Sequence, residues 1–158
     1  MKLLKTILLL LSILFSALIW VTRGEDLTSL SAYATADNNV FYNLMHLTAS
    51  WFFLLNARVK KYATEYLLAL GMGLILAFDM YKHTSLHNIV TVVTILLACF
   101  TLLWNRETSL DKKVGIAVVI SAVSVFVIGY FTDYISFLLA EILVMVLLSS
   151  AKLKEIHG

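Results

Sequence analysis

Apolar residues run along this chain in six long blocks, each ended by a short cluster of charged or polar positions. The blocks are Leu3–Thr22, Asn39–Asn56, Tyr62–Met80, Leu86–Trp104, Val114–Phe131 and Tyr134–Ser150. A helix crossing a bilayer needs roughly 20 mostly apolar residues, with about 17 as the lower bound, and each block meets or nearly meets it. Barrel strands would be about half as long and would alternate apolar with polar residues, which these do not. The pattern predicts an all-α, polytopic bundle of six transmembrane helices, forming one domain over residues 1–158.

Composition agrees with that solvent. Of 158 residues, 61% are hydrophobic and only 14% charged, against about 45–50% and about 25% in a soluble domain. Proline is absent, so no block is broken by a residue that cannot donate to a helix. Lys2 and Lys5 before an apolar run resemble a signal peptide, but the run exceeds the usual apolar core of about 7–15 residues. An uncleaved first helix is expected. The last two blocks are separated only around Thr132-Asp133, where Gly129 eases a tight turn; a single re-entrant element is the competing reading.

Charge then orients the bundle. Six crossings with the N-terminus inside put every Lys and Arg except Arg23 and Lys82 on the cytoplasmic side, out of twelve in all, as the positive-inside rule requires. Both termini are thus expected in the cytoplasm, in a plasma or inner membrane. The same basic groups suit anionic lipid headgroups better than a nucleic acid. The single cysteine, Cys99, forms no internal disulfide and is expected as a small buried hydrophobe.

Ionisable groups within spans are costly and mark candidate sites. His46 lies about two turns below the outer end of the second span, and Glu141 lies at a similar depth in the sixth. Asp79 closes the third span, His87 opens the fourth, and His83 sits in the turn between them. Glu65 is the exception, one turn in from the inner end. His46, Asp79, His87 and Glu141 therefore form a candidate outer pocket. Each also has a structural reading: interhelical hydrogen bonds for His46 and Glu141, and a solvated turn for the others. Asp79, His83 and His87 fall at i, i+4, i+8, which would share one face of a continuous helix. Thr84-Ser85 resembles a helix N-cap, however, so the spacing is expected to cross a turn. Gly71-Met72-Gly73 provides small residues for close helix packing. No phosphate loop, cysteine cluster or nucleophile elbow occurs.

Four features together resemble the Frag/DRAM/Sfk-type family of six-helix membrane proteins. They are the Leu30-Ser31-Ala32-Tyr33-Ala34-Thr35 stretch leading to Phe41, the passage Asp79-Met80-Tyr81-Lys82-His83-Thr84-Ser85-Leu86-His87, Glu141 in the last span, and the overall spacing of spans. Two positions depart from that pattern: Ala32-Tyr33-Ala34 stands for an Asp-Thr-Gly-like segment, and His46 for a commoner asparagine. The resemblance implies lipid handling without a settled catalytic chemistry, with membrane lipids or other membrane proteins as partners and no cofactor.

The first functional expectation is accordingly a non-enzymatic, lipid-interacting protein. The alternative is a zinc-dependent intramembrane lipid hydrolase of ceramidase-like type. There His46, His83 and His87 would bind zinc, Asp79 would orient a ligand or the bound water, and Glu141 would shuttle protons. A proton-coupled small transporter comes third, since no inverted repeat is visible.

Overall fold

A computed structural model describes residues 1–23, 39–78, 82–104 and 135–158, together with 113, 116–117, 119–120, 123–124 and 127. Among the described residues it is all-α, with five helices and no strand. They are α1 (Lys2–Arg23), α2 (Asn39–Lys60), α3 (Ala63–Ala77), α4 (Thr84–Trp104) and α5 (Ile135–His157). The isolated residues between α4 and α5 are helical too. Asp79, the first outer loop from residue 24 and the Thr132-Asp133 turn lie outside the described residues.

Two stretches, Lys2–Ile19 in α1 and Thr84–Thr101 in α4, are long and apolar enough to cross a membrane. Only 28% of each is buried in the molecule, whereas a soluble core helix of that composition would hide most of its surface. The sidedness is informative. On α1 the buried positions are Lys5, Leu9, Ser12, Ser16 and Ile19, while Leu3, Ile7, Leu10 and Leu14 face outward. On α4, His87, Thr94, Ala98 and Thr101 are buried, and Ile89, Val93, Leu96 and Phe100 are exposed. Both stripes follow helical spacing; the polar and small groups lie inward, together with Leu9 and Ile19, and the outward positions are large and apolar. Water favours the opposite; hydrocarbon favours this.

The two ends of the chain meet, since Thr6 Oγ1 lies 3.1 Å from His157 Nε2. This end of the bundle is held by ionised side chains. Lys152 Nζ on α5 donates to Glu65 Oε1 on α3 at 2.6 Å and to Glu155 Oε2 at 2.7 Å. Asn56 Nδ2 on α2 donates to Glu65 Oε2 at 2.5 Å, and Lys5 Nζ on α1 donates to Asn56 Oδ1 at 2.6 Å. Lys60 stands 3.8 Å from Glu155. Glu65 is wholly buried and Lys152 nearly so, at 0% and 3% exposure. Four helices are thereby tied at one level through groups that lose their partners if any helix slides.

Above this layer sits an apolar one, where Leu9, Phe52, Phe53, Leu68, Ala98 and Leu148 from all five helices pack together. A third, formed by Ile19, Tyr42, Met45 and Ile75, lies toward the opposite end. Cys99 is buried beside Val144, in contact with Ile95 and Val119. Close approach of α3 to α4 depends on Gly71: a Cβ there would stand 2.5 Å from Thr94 Oγ1. Gly73 has no such neighbour within 4 Å. Ser50 Oγ also reaches the Ala69 carbonyl at 2.8 Å, fastening α2 to α3.

The helices depart from the apolar blocks at their ends. α2 continues to Lys60 and α5 to His157, past the expected ends at Asn56 and Ser150. Hydropathy stops at the first charges, but here Lys60 and Lys152 both pair with Glu155 and the helices carry on through them. The α2–α3 turn shrinks to Lys61-Tyr62, with Lys61 in the left-handed region at φ 58° and its N–H on the Ala57 carbonyl at 2.7 Å, a helix stop that glycine more commonly makes.

Removing Lys152 while keeping Glu65 would leave a wholly buried carboxylate without its cation, a loss that costs roughly 3–5 kcal/mol in comparable pairs. Lys152→Met should therefore lower thermal stability in detergent sharply. Glu65→Leu should cost less, because Lys152 keeps Glu155. The double variant Lys152→Met/Glu65→Leu should recover much of the loss, read by circular dichroism melting.

Glu155 lies beyond the sixth apolar block, and two opposing effects act on it. Burial raises its pKa, but Lys152, the Asn56 hydrogen bond and Lys60 outweigh burial and hold it below the ordinary value. A carboxyl depressed on folding stabilises above its unfolded pKa, about 4.3, and that contribution disappears as pH falls through the lower folded value. Melting temperature should fall as pH drops below about 5, and Glu155→Gln should flatten that slope.

Candidate functional site

Away from the ionic end, the helices leave a half-enclosed cavity of about 130 Å³. All five helices line it, with Phe53, Met72, Ala98 and Leu148 toward the middle and Tyr42, His46, Thr91 and Glu141 farther out. From Glu141 to Leu148 the wall runs roughly 10 Å along α5, at 1.5 Å per residue. His46 and Glu141, far apart in sequence, line the same space. No lysine or arginine occurs among the described lining residues.

Each histidine is oriented by its helix. His46 is buried on α2, with Nδ1 3.1 Å from the Tyr42 carbonyl one turn back. The Tyr42 ring packs on it at 4.3 Å between centroids, tilted by 52°. His87 occupies the first turn of α4, and its Nδ1 lies 2.8 Å from the Phe78 carbonyl. Phe78 caps α3, where terminal carbonyls lack helical donors, so His87 closes α3 while it starts α4. A carbonyl only accepts, so in both rings Nδ1 must carry the proton, and in the neutral form Nε2 presents a lone pair.

His87 is 1% exposed, and its Nε2 has no hydrogen-bond partner. Thr91, one turn further on the same face, has a buried hydroxyl oxygen without a partner and lines the cavity. His46 and His87 are near enough for a charge on either to oppose a charge on the other. Two buried polar atoms left open side by side are rare in folded proteins and call for an explanation.

The remaining candidates separate. α3 ends at Ala77 and α4 begins at Thr84, so Asp79, His83 and His87 do not share a continuous helix. His83 is exposed, its ring edge-on to Phe78 at 6.2 Å. Among the described residues, no three His, Cys, Asp or Glu side chains gather as a metal set, and Asp79 is not one of the described residues. What hydropathy missed is the ionic end: Asn56 and Lys152 looked like span boundaries. Their common depth with Lys5 and Glu65, each about a turn from the same end, was the available signal.

No protein-family model matches the chain, and no curated protein or solved structure matches it significantly. Function rests on the site itself.

The geometry fixes tautomers that nitrogen spectroscopy can read. In ¹⁵N-labelled protein, the neutral rings of His46 and His87 should both be the Nδ1–H tautomer, with Nε2 unprotonated. A protonated Nε2 on either neutral ring would contradict the carbonyl contacts.

Proposed function

We propose that this chain is a six-span membrane protein with both termini cytoplasmic, and that its cavity binds membrane lipid without turning it over. The observation that carries the lipid reading is the shared wall: His46 and Glu141 meet one cavity whose other surfaces are mainly aliphatic and aromatic. An apolar space with a few polar groups toward one end suits an amphiphile.

Connectivity supports the six spans. α4 starts where α3 ends and runs toward the ionic end, while α5 runs from the Glu141 level to Lys152 at that same end. Two successive helices running in the same direction require the chain between them to return across the bundle, and its described residues are helical. The Thr6–His157 contact agrees with an even number of crossings. Lys2, Lys5, Arg58, Lys60, Lys61, Lys152 and Lys154 cluster at that end, which supports a cytoplasmic assignment. The likeness to Frag/DRAM/Sfk-type proteins points toward lipid handling as well.

Protein purified in mild detergent should retain lipid in native mass spectra, and Glu141→Ala should change the retained species or amount while leaving the helical fold intact. Unchanged lipid in a folded variant would count against the reading.

One observation favours the zinc-hydrolase alternative: both histidines are anchored through Nδ1 and offer Nε2, as zinc-binding histidines commonly do. Elemental analysis after metal-free preparation, followed by zinc addition, separates the two. Stoichiometric zinc lost in His46→Ala would favour the hydrolase.

A further inference from the structure

The cavity's polar end is built to accept hydrogen bonds. With Nδ1 of His46 and His87 committed to the Tyr42 and Phe78 carbonyls, each neutral ring can only accept at Nε2. Glu141 adds a carboxyl group, and Thr91 adds a hydroxyl oxygen that nothing satisfies. Lys5 and Lys152 are engaged at the opposite end, with Asn56 and with Glu65 and Glu155, and Lys82, exposed in the turn before α4, does not line the cavity. A phosphate or carboxylate entering here would find hydroxyls but no cation among the described lining residues, which is a costly arrangement for a buried charge.

Size narrows the class further. A cavity of about 150 Å³ holds a molecule of benzene's size, so one of about 130 Å³ takes a small headgroup and a few carbons. A single chain can continue out through the open side of the half-enclosed cavity, whereas a diacyl lipid would also have to seat its branched backbone and the start of a second chain in the same space. The walls are mainly aliphatic and aromatic toward Phe53, Ala98 and Leu148, with Ser12 and Ser149 among them, which is where an alkyl chain would lead.

Building on the lipid-binding reading, we propose that the ligand is a single-chain amphiphile whose head donates hydrogen bonds, a primary ammonium or a hydroxyl, with the head between His46, Thr91 and Glu141. The ammonium is the better head, because it supplies three donors and a charge opposite to that of an ionised Glu141.

The test uses the full-length chain in detergent near pH 7.5, with saturable one-to-one binding read by native mass spectrometry and melting temperature. Four probes are compared: dodecylamine, dodecanol, laurate and ethanolamine. Dodecylamine should bind tightest, dodecanol next, laurate at least tenfold more weakly than dodecylamine, and ethanolamine negligibly. Glu141→Gln should weaken dodecylamine about tenfold or more, and Thr91→Val should weaken both donor-headed probes while the fold persists.

Laurate binding as well as dodecylamine would overturn the donor requirement and leave lipid binding standing. Ethanolamine binding as well as dodecylamine would overturn the alkyl chain and point to a free amine as the source. If no probe binds and no lipid co-purifies, the lipid-binding reading itself fails. If no probe binds but lipid is retained, only the single-chain donor class is overturned.

Discussion

The buried contact between Lys152 and Glu65 constrains the rest of this bundle. An ion pair taken out of water gains from Coulomb attraction only if geometry is good and its remaining polar atoms are satisfied. Here the second Glu65 oxygen is held by Asn56, whose own carbonyl oxygen is held by Lys5, and the Lys152 ammonium also holds Glu155. Every member belongs to a different helix from its main partner, apart from the Lys152–Glu155 pair within α5. The network therefore sets the axial register of α1, α2, α3 and α5 at once.

Register at one end has consequences at the other. With those helices fixed along their axes, Tyr42 and His46 on α2 reach the level of Glu141 on α5, and the cavity forms between them. The close approach of α3 to α4 at Gly71 and Thr94 brings the end of α3 to the start of α4, where His87 takes the Phe78 carbonyl. The cations are used where the ends of the chain meet, and the acceptors gather where they do not. This division leaves the cavity without a lysine or arginine among its described lining residues, and it follows from the packing as a whole.

Much of this was readable along the chain. Apolar blocks marked all five described helices, and the N-cap-like Thr84-Ser85 pointed to the helix start that separates His83 and His87 from the end of α3. Gly71 was legible as a close-packing residue, although Gly73, two positions on, is not used that way. His46 and Glu141 stood out because polar groups are rare in apolar runs. Asn56, Lys152 and Glu155 did not, because at the edge of a span a charge looks like a boundary marker. Hydropathy weighs residues one at a time, and these groups become favourable inside only in combination.

The order of polar and apolar residues by itself determined that this is an all-helical chain, where most helices begin, and which few ionisable groups sit deep. Those properties depend on local backbone propensity and on transfer energies that each residue carries alone. Only the tertiary structure decided that Lys5, Asn56, Glu65 and Lys152 satisfy one another, that His46 and Glu141 share a cavity, and that His87 is held to the end of α3. Those are relations between helices. They depend on rotation and axial register, and single-residue transfer energies contain no term for either.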